Sequence, residues 1–85
     1  MPKIYEVIIT SSAQKEIRKL QKIEVQRIIS TIQLLSNEPR PSGCKKLTST
    51  QNIYRIGNYR VLYSIDDVIR IVEVSGVRHR RDAYE

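Results

Sequence analysis

The residues that could act on a ligand are mostly cationic, and they cluster in the second half of the chain. They are Lys45, Lys46, Arg55 and Arg60 in its middle, and Arg78, His79, Arg80, Arg81 and Tyr84 near its end. No acidic residue occurs from position 40 to position 65, and the formal net charge is +6. Because clustered cations gain affinity for polyanions by displacing phosphate counterions, this distribution favours a nucleic-acid partner. Taken singly, each cation and His79 also fit an exposed, solvated surface position, and Tyr84 also fits a ring docked on the core.

Other kinds of site lack the residues that they need. The chain contains one histidine, His79, one cysteine, Cys44, and three glycines. This set does not supply a metal site, a glycine-rich phosphate loop, or a Ser-His-Asp or Cys-His nucleophile. We therefore predict a site that works without a metal ion or another cofactor.

Length and cysteine content indicate the setting of the protein. The 85 residues predict a single domain, 1–85, with room for one sheet and one layer of helices. A lone cysteine forms no internal disulfide, and the N-terminus lacks the apolar segment of a secretion signal, so we expect a cytoplasmic location. No apolar run approaches the length that crosses a membrane, and we expect no membrane partner.

A predicted β-hairpin positions Arg60. Gly57-Asn58 favours a tight two-residue turn, and β-branched and tyrosine residues flank it on both sides. From Tyr59 to Ile65 apolar side chains alternate with polar ones. Because successive side chains of a strand point to opposite faces, Arg60 is expected on the face opposite to the apolar one.

A second turn and a second strand follow the hairpin. Asp66-Asp67 predicts the turn, and the run from Val68 to Val74 places apolar groups on both faces, which is typical of a central strand. Gly76 is expected to end this strand. The residues after it would then form a basic tail that is too short for a helix of ordinary length.

The first half of the chain predicts a strand and two helices. Lys3 to Ile9 alternates as a strand does, and Ser11 with Gln14 suggests a capping box at the start of a helix. The charged residues of this helix, Glu16 among them, are expected to face water. A second helix is predicted from about Glu24 to Ser36.

The segment from Ser42 to Asn52 is expected to be a polar, basic loop. The predicted fold is therefore α+β: a strand, a two-helix hairpin, then a three-stranded antiparallel meander, with the helices on one face of the sheet. The edge at which the first strand pairs is left open.

The order YRIGNYRVLYSID, an apolar strand and then GVRHRRDAY resembles the RelE toxin family of bacterial and archaeal toxin–antitoxin modules. The similarity extends over nearly the whole chain, including the SAQKEIRKL helix and the LSNEPRPSGCKKL segment. Its most specific parts are the Tyr59-Arg60 step and the terminal motif. The resemblance implies a RelE-like fold, an endoribonuclease that cuts mRNA in the ribosomal A site, and an antitoxin partner in a hetero-oligomeric complex.

The resemblance also implies roles for individual residues. In the ribosome-dependent members, two arginines that match Arg60 and Arg78 and a terminal tyrosine that matches Tyr84 line the catalytic site. The residues expected to hold the RNA are basic: Lys45, Lys46, Arg55, Arg80 and Arg81. His79 stands where other members have an acidic or different residue, so either Tyr84 or His79 would handle the proton of the RNA 2′-OH.

These residue types suit the implied reaction. A 2′-OH that attacks the adjacent phosphate builds negative charge on the phosphorane and on the 5′-leaving oxygen, and arginine side chains can stabilise both. Arg60 would stabilise the transition state, and Arg78 would assist the leaving group or the phosphate.

Two other functions remain open for this sequence. A ParE-like toxin resembles the same fold but binds and poisons DNA gyrase without cutting RNA. A toxin without catalytic activity would bind only its antitoxin or nucleic acid. The joint presence of Arg60, Arg78 and Tyr84 favours the nuclease.

Overall fold

The computed structural model describes residues 5–79. Its elements are, in chain order, β1 (Glu6–Ile9), α1 (Ser11–Arg18), α2 (Lys22–Leu34), β2 (Lys45–Lys46), β3 (Asn52–Ile56), β4 (Tyr59–Asp66) and β5 (Ile71–His79). The sheet has five strands in the order β1-β5-β4-β3-β2. The predicted α+β class, the helix pair and the antiparallel meander of β3, β4 and β5 are confirmed.

β5 is an inner strand of the sheet, as the apolar run predicts. It pairs antiparallel with β4 on one side and parallel with β1 on the other. The parallel pair places Glu6 opposite Ile71 and Ile9 opposite Val74. β1 therefore lies at the edge of the sheet next to β5, which answers the question of pairing that the sequence leaves open.

The N-cap of α1 lies one residue earlier than predicted. Thr10, not Ser11, is the N-cap, and its Oγ1 accepts a hydrogen bond from the amide of Ala13 at 3.2 Å. The amide of Thr10 donates to the carbonyl of Val74 at 3.0 Å, so pairing with β5 holds this residue at the end of the sheet. The helix therefore begins directly after it.

α2 and the segment that follows it also differ in their bounds from the prediction. The helix covers Lys22–Leu34 instead of starting near Glu24 and ending near Ser36. The predicted loop contains the short strand β2, whose Lys45 and Lys46 pair with the beginning of β3. A strand of two residues is too short to produce a recognisable alternation of apolar and polar side chains in the sequence.

The turn between β4 and β5 is longer than Asp66-Asp67 indicates. Asp66 Oδ1 accepts hydrogen bonds from the amides of Val68 and Ile69, at 3.0 and 3.2 Å, and Arg70 has a positive φ of 58°. Val68 and Ile69 are 91% and 63% exposed. The prediction that β5 starts at Val68 is therefore wrong, because an aspartate side chain can replace the partner strand for these amides.

Gly76 does not end β5, and this prediction is also wrong. The strand continues through Gly76 to His79 and stays paired with β4, with Arg78 opposite Arg60. The part of the basic tail that the structure describes is therefore part of the sheet. A glycine interrupts a strand only weakly where the neighbouring strand supplies its hydrogen bonds.

A β-bulge lies just before this glycine. The register shifts by one residue between the pair of Tyr63 with Val74 and the pair of Leu62 with Gly76. Ser75 is therefore an extra residue on β5. Its hydroxyl lies 3.4 Å from the carbonyl oxygen of Leu62, to which it donates.

The bulge reverses which positions of β5 point to the core. Val72 and Val74 are buried before it, and Val77 is buried after it, so the buried positions change from even to odd numbers. Without the extra residue, Arg78 would point into the core. With it, Arg78 lies on the opposite face.

The hydrophobic core lies between the two helices and one face of the sheet, as predicted. Its buried side chains are Ala13, Ile17, Ile28, Ile32, Leu35, Ile56, Val61, Tyr63, Val72, Val74 and Val77. No helix in residues 5–79 is long and apolar enough to cross a membrane.

Tyr63 ties the segment after α2 to this core. Its ring is fully buried, and its hydroxyl donates to the carbonyl oxygen of Pro39 at 2.8 Å and lies 3.1 Å from Cys44 Sγ. Burial raises the pKa of the Tyr63 phenol far above its usual range, so the hydroxyl stays protonated and remains a donor.

Candidate functional site

The face of the sheet without helices carries three arginines in one row. Arg55 on β3 lies opposite Arg60 on β4, and Arg60 lies opposite Arg78 on β5. Their strand neighbours Ile56, Val61 and Val77 belong to the core, so the arginines point to the other face. The structure thus brings two predicted catalytic residues and one predicted RNA-binding residue together. We call these three residues the arginine row.

The members of the arginine row stand directly opposite one another on neighbouring strands. Like charges that stand directly opposite each other on neighbouring strands repel, and such pairs destabilise a sheet. Three arginines on one face of the sheet offer several N–H donors to an anion, and phosphate fits the fork of an arginine well. The arrangement therefore suits a phosphate ligand.

The hairpin of β3 and β4 fixes one half of the row. Gly57 has a φ of 60°, which the predicted two-residue turn requires, and the turn places Ile56 opposite Tyr59. A Cβ at Gly57 would also lie 2.9 Å from Arg27 Nη2 on α2. The pairing of Arg55 with Arg60 follows directly from this turn.

Glu16 on α1 contacts the other end of the row. Its Oε2 lies 2.9 Å from Arg78 Nε, and its Oε1 accepts a hydrogen bond from the amide of Val77 at 2.7 Å. The prediction that Glu16 faces water is therefore wrong. Its partners are far away in sequence, and the helical pattern alone gives no sign of them.

Lys45 and Lys46 lie beside the arginine row. A groove of about 450 Å³ is lined by both lysines together with Arg55, Arg60 and Tyr54. β2 pairs with β3, which places the predicted basic segment at the edge of the sheet next to the row. Four of the residues predicted to act on RNA thus share one groove.

His79 lies on the face opposite to the arginine row. It is the Cα partner of Tyr59, and the two rings stack edge to face with centroids 5.2 Å apart and an angle of 80° between them. Tyr59 packs against the core. Because His79 follows Arg78 on a strand, the two side chains point to opposite faces. Arg80, Arg81 and Tyr84 lie outside the described residues.

Arg40 belongs to a separate cluster at the tip of the turn between β4 and β5. Its guanidinium makes two hydrogen bonds to Asp67, at 3.2 and 2.9 Å, and the hydroxyl of Tyr5 donates to the same carboxylate at 2.6 Å. The hydrogen bonds from Arg40 and Tyr5 hold the pKa of Asp67 below its usual value. The hydrogen bond to Asp67 raises the pKa of Tyr5. Arg40 is thus paired with a carboxylate outside the arginine row.

Residues 5–79 contain no cluster of three or more His, Cys, Asp or Glu side chains that could hold a metal ion.

Comparisons with known proteins agree with the fold. A family model described as the ParE toxin of the type II toxin–antitoxin system parDE matches residues 7–84. A chain of the toxin–antitoxin complex RelBE2 from Mycobacterium tuberculosis is 31% identical, with a TM-score of 0.81, over 91% of this chain and 99% of that chain. No curated protein sequence matches significantly.

Two further solved structures share the fold. A chain of the archaeal RelE–RelB complex from Pyrococcus horikoshii is 25% identical, with a TM-score of 0.76, over 94% of this chain and 99% of that chain. A mutant of the Escherichia coli toxin RelE in the free state is 20% identical, with a TM-score of 0.79, over 94% of this chain and 87% of that chain. The match of the family model and the identity to the mycobacterial chain extend over most of the sequence, and the chain therefore belongs to the RelE/ParE superfamily of toxins from type II toxin–antitoxin systems.

Proposed function

We propose that this toxin is an endoribonuclease that cuts mRNA on the ribosome. The observation that carries the proposal is the arginine row on the open face of the sheet, next to the groove with Lys45 and Lys46. A row of cations on one face attracts polyanions, and an RNA phosphate fits the fork of an arginine side chain.

In the proposed reaction the 2′-OH of one nucleotide attacks its own 3′-phosphate. The bond from phosphorus to the 5′-oxygen of the next nucleotide breaks, a 2′,3′-cyclic phosphate forms, and the leaving 5′-oxygen takes a proton from water to become a 5′-hydroxyl. Arg60, in the middle of the row, stabilises the charge on the phosphorane, and Arg78 stabilises the leaving oxygen or the phosphate. Lys45, Lys46 and Arg55 hold the RNA by charge, with Arg80 and Arg81 added from beyond the described residues.

The reaction needs a base that takes the proton of the 2′-OH. His79 lies on the opposite face of the sheet from Arg60 and Arg78. Tyr84 follows on the chain, and neighbouring arginines lower the pKa of a phenol. We therefore assign the base to Tyr84, with the ribosome aligning the RNA.

The proposed partners follow from the family. The solved relatives include chains of the RelBE2 complex and of the RelE–RelB complex. An antitoxin that binds this toxin in a hetero-oligomeric complex would cover the basic face and block RNA. Both the antitoxin and the ribosome place the protein in the cytoplasm.

A gyrase poison is the second candidate, because the matching family model is that of the ParE toxin. Such a toxin binds its target and needs no catalytic row. The two candidates differ in what they damage, which allows one experiment to separate them.

The experiment combines two assays on the purified toxin. In the first, programmed ribosomes carry one defined mRNA, and primer extension maps any cut. In the second, gyrase and supercoiled DNA are tested for toxin-dependent DNA breaks. Cuts within the A-site codon support the nuclease. Intact mRNA together with gyrase-linked breaks would replace it with the ParE-like function.

A further inference from the structure

The carboxylate of Glu16 holds two neighbouring groups of β5 at once. Its Oε1 accepts from the amide of Val77 at 2.7 Å, and its Oε2 lies 2.9 Å from Arg78 Nε. Each oxygen has its own donor, so the carboxylate is fixed in orientation as well as in position. Charge-assisted hydrogen bonds of this length are stronger than neutral ones.

This contact exists because β1 is shorter than β5. Pairing with β1 ends where Ile9 meets Val74, so the outer edge of β5 continues without a strand beside it. α1 starts directly after β1, and its Glu16 reaches this edge and accepts the amide of Val77. A side chain thus takes the place of the missing strand.

Gly76 provides the space for the guanidinium of Arg78. A Cβ at Gly76 would lie 3.3 Å from Arg78 Nη2, from Glu16 Oε1 and from Leu62 Cδ1. The side chain of Arg78 therefore folds back over the bare Cα of Gly76, between the carboxylate and Leu62. Gly76 is not among the glycines with positive φ, so the close approach is the feature that requires it.

We propose that Glu16 is the positioning residue for Arg78, because it holds the Nε edge of the guanidinium over Gly76 so that the remaining N–H donors meet the phosphate beside Arg60. This inference rests on the proposed function. An unrestrained arginine side chain samples many rotamers, and a group that is already in place loses less freedom when the substrate binds. Glu16 touches no RNA in this scheme and acts only through Arg78.

The proposal makes two predictions for Glu16→Gln, one for the rate of cleavage and one for the binding of RNA. The glutamine places an NH₂ group where one of the two acceptors stood, so it keeps at most one of the two hydrogen bonds. Loss of the restraint on Arg78 should slow cleavage. Loss of a negative charge beside the row should strengthen or leave unchanged the binding of ribosome-bound RNA.

Glu24→Gln is the matched control. Glu24 forms a surface ion pair with Arg27 on α2 at 3.6 Å, and its side chain is 29% exposed, as is that of Glu16. Both substitutions remove one negative charge, so the net charge of +6 rises to +7 in each. They differ in whether Arg78 loses a partner.

The test is single-turnover cleavage of a defined mRNA over a range of programmed-ribosome concentrations. For Glu16→Gln we expect the rate constant at saturation to fall about tenfold to a hundredfold relative to Glu24→Gln, with an unchanged or lower half-saturating concentration. Gly76→Ala, whose Cβ would crowd both the guanidinium of Arg78 and the carboxylate of Glu16, should lower the same rate constant. A purely structural role would reduce stability without changing the rate constant of the folded fraction.

Several results would overturn the proposal. A saturating rate for Glu16→Gln within about twofold of the control refutes positioning. A rate above that of the wild type would mean that Glu16 competes with the phosphate for Arg78. If the wild-type toxin cuts no mRNA, the proposed function fails instead, and the restraint is then judged by NMR. The Arg78 Nε–H signal should be protected from exchange in the wild type and in Glu24→Gln, and lose that protection in Glu16→Gln.

Discussion

Arg55→Gln should stabilise the fold while weakening RNA binding. Arg55 is exposed at one end of the arginine row and stands directly opposite Arg60. Glutamine keeps a polar side chain of similar length but removes one of two like charges that face each other. The substitution therefore relieves a repulsion that the folded state carries and the unfolded state lacks.

The size of the effect follows from the position of the pair. A directly opposed like-charge pair costs a sheet about 0.2–1 kcal/mol, and exposure to solvent places this pair near the lower end. We expect a gain of about 0.2–0.5 kcal/mol in the free energy of unfolding. For a domain of this size, that gain corresponds to a rise in Tm of about 1–4 °C.

Thermal melting at two salt concentrations measures this gain. In about 1 M NaCl the screening length falls to about 3 Å, and the difference in Tm between Arg55→Gln and the wild type should vanish. Lys15→Gln, an exposed substitution on α1, removes the same charge outside the row and serves as the control. On single-stranded RNA, Arg55→Gln should reduce the salt slope of binding by about 0.7.

Two outcomes would contradict this reasoning. A lower Tm for Arg55→Gln at low salt would show that Arg55 stabilises the sheet. An increase that persists in high salt, or that Lys15→Gln reproduces, would show that the gain does not come from the row.

Arg60→Ala should fold with a stability within about 0.5 kcal/mol of the wild type and lose cleavage, because its side chain points away from the core; an aggregated or melted variant in circular dichroism would make Arg60 structural. Tyr84→Phe should slow single-turnover cleavage by about a hundredfold or more, and His79→Gln by about tenfold or less; the reverse order, with normal ribosome binding, would identify His79 as the base. Tyr63→Phe should lower the free energy of unfolding by about 1–3 kcal/mol, because the partly buried carbonyl of Pro39 loses its hydrogen-bond donor. Urea denaturation measures this loss, and an unchanged midpoint would show that water replaces the hydroxyl.

The sequence predicts those parts of the site that depend on neighbouring residues. The Gly57-Asn58 turn determines which residues of β3 and β4 stand opposite each other, and the alternation along β4 determines the face of Arg60. Both rules act over a few residues. The sequence alone therefore predicts the part of the arginine row that lies in the hairpin, Arg55 opposite Arg60.

The other half of the row depends on distant partners. The bulge at Ser75 reflects how β5 fits against β4, and the contact of Glu16 with Arg78 joins α1 to the last described strand. Local patterns also misled at Val68 and Ile69, where apolar residues of high strand propensity form an exposed turn. Propensity describes a fit to a half-buried surface, and these two residues have no such surface to fit.

The parallel pairing of β1 with β5 has a consequence for the order in which the chain folds during its synthesis. Within the described chain β1 pairs with no other strand, and β5 is the last described strand. The helices and the hairpin of β3 and β4 can form as they leave the ribosome, whereas contacts between distant segments close late and slowly. The pairing of β1 can form only when β5 has emerged, and Arg78 emerges with β5. Until then a nascent chain carries Arg55 and Arg60 but an incomplete arginine row.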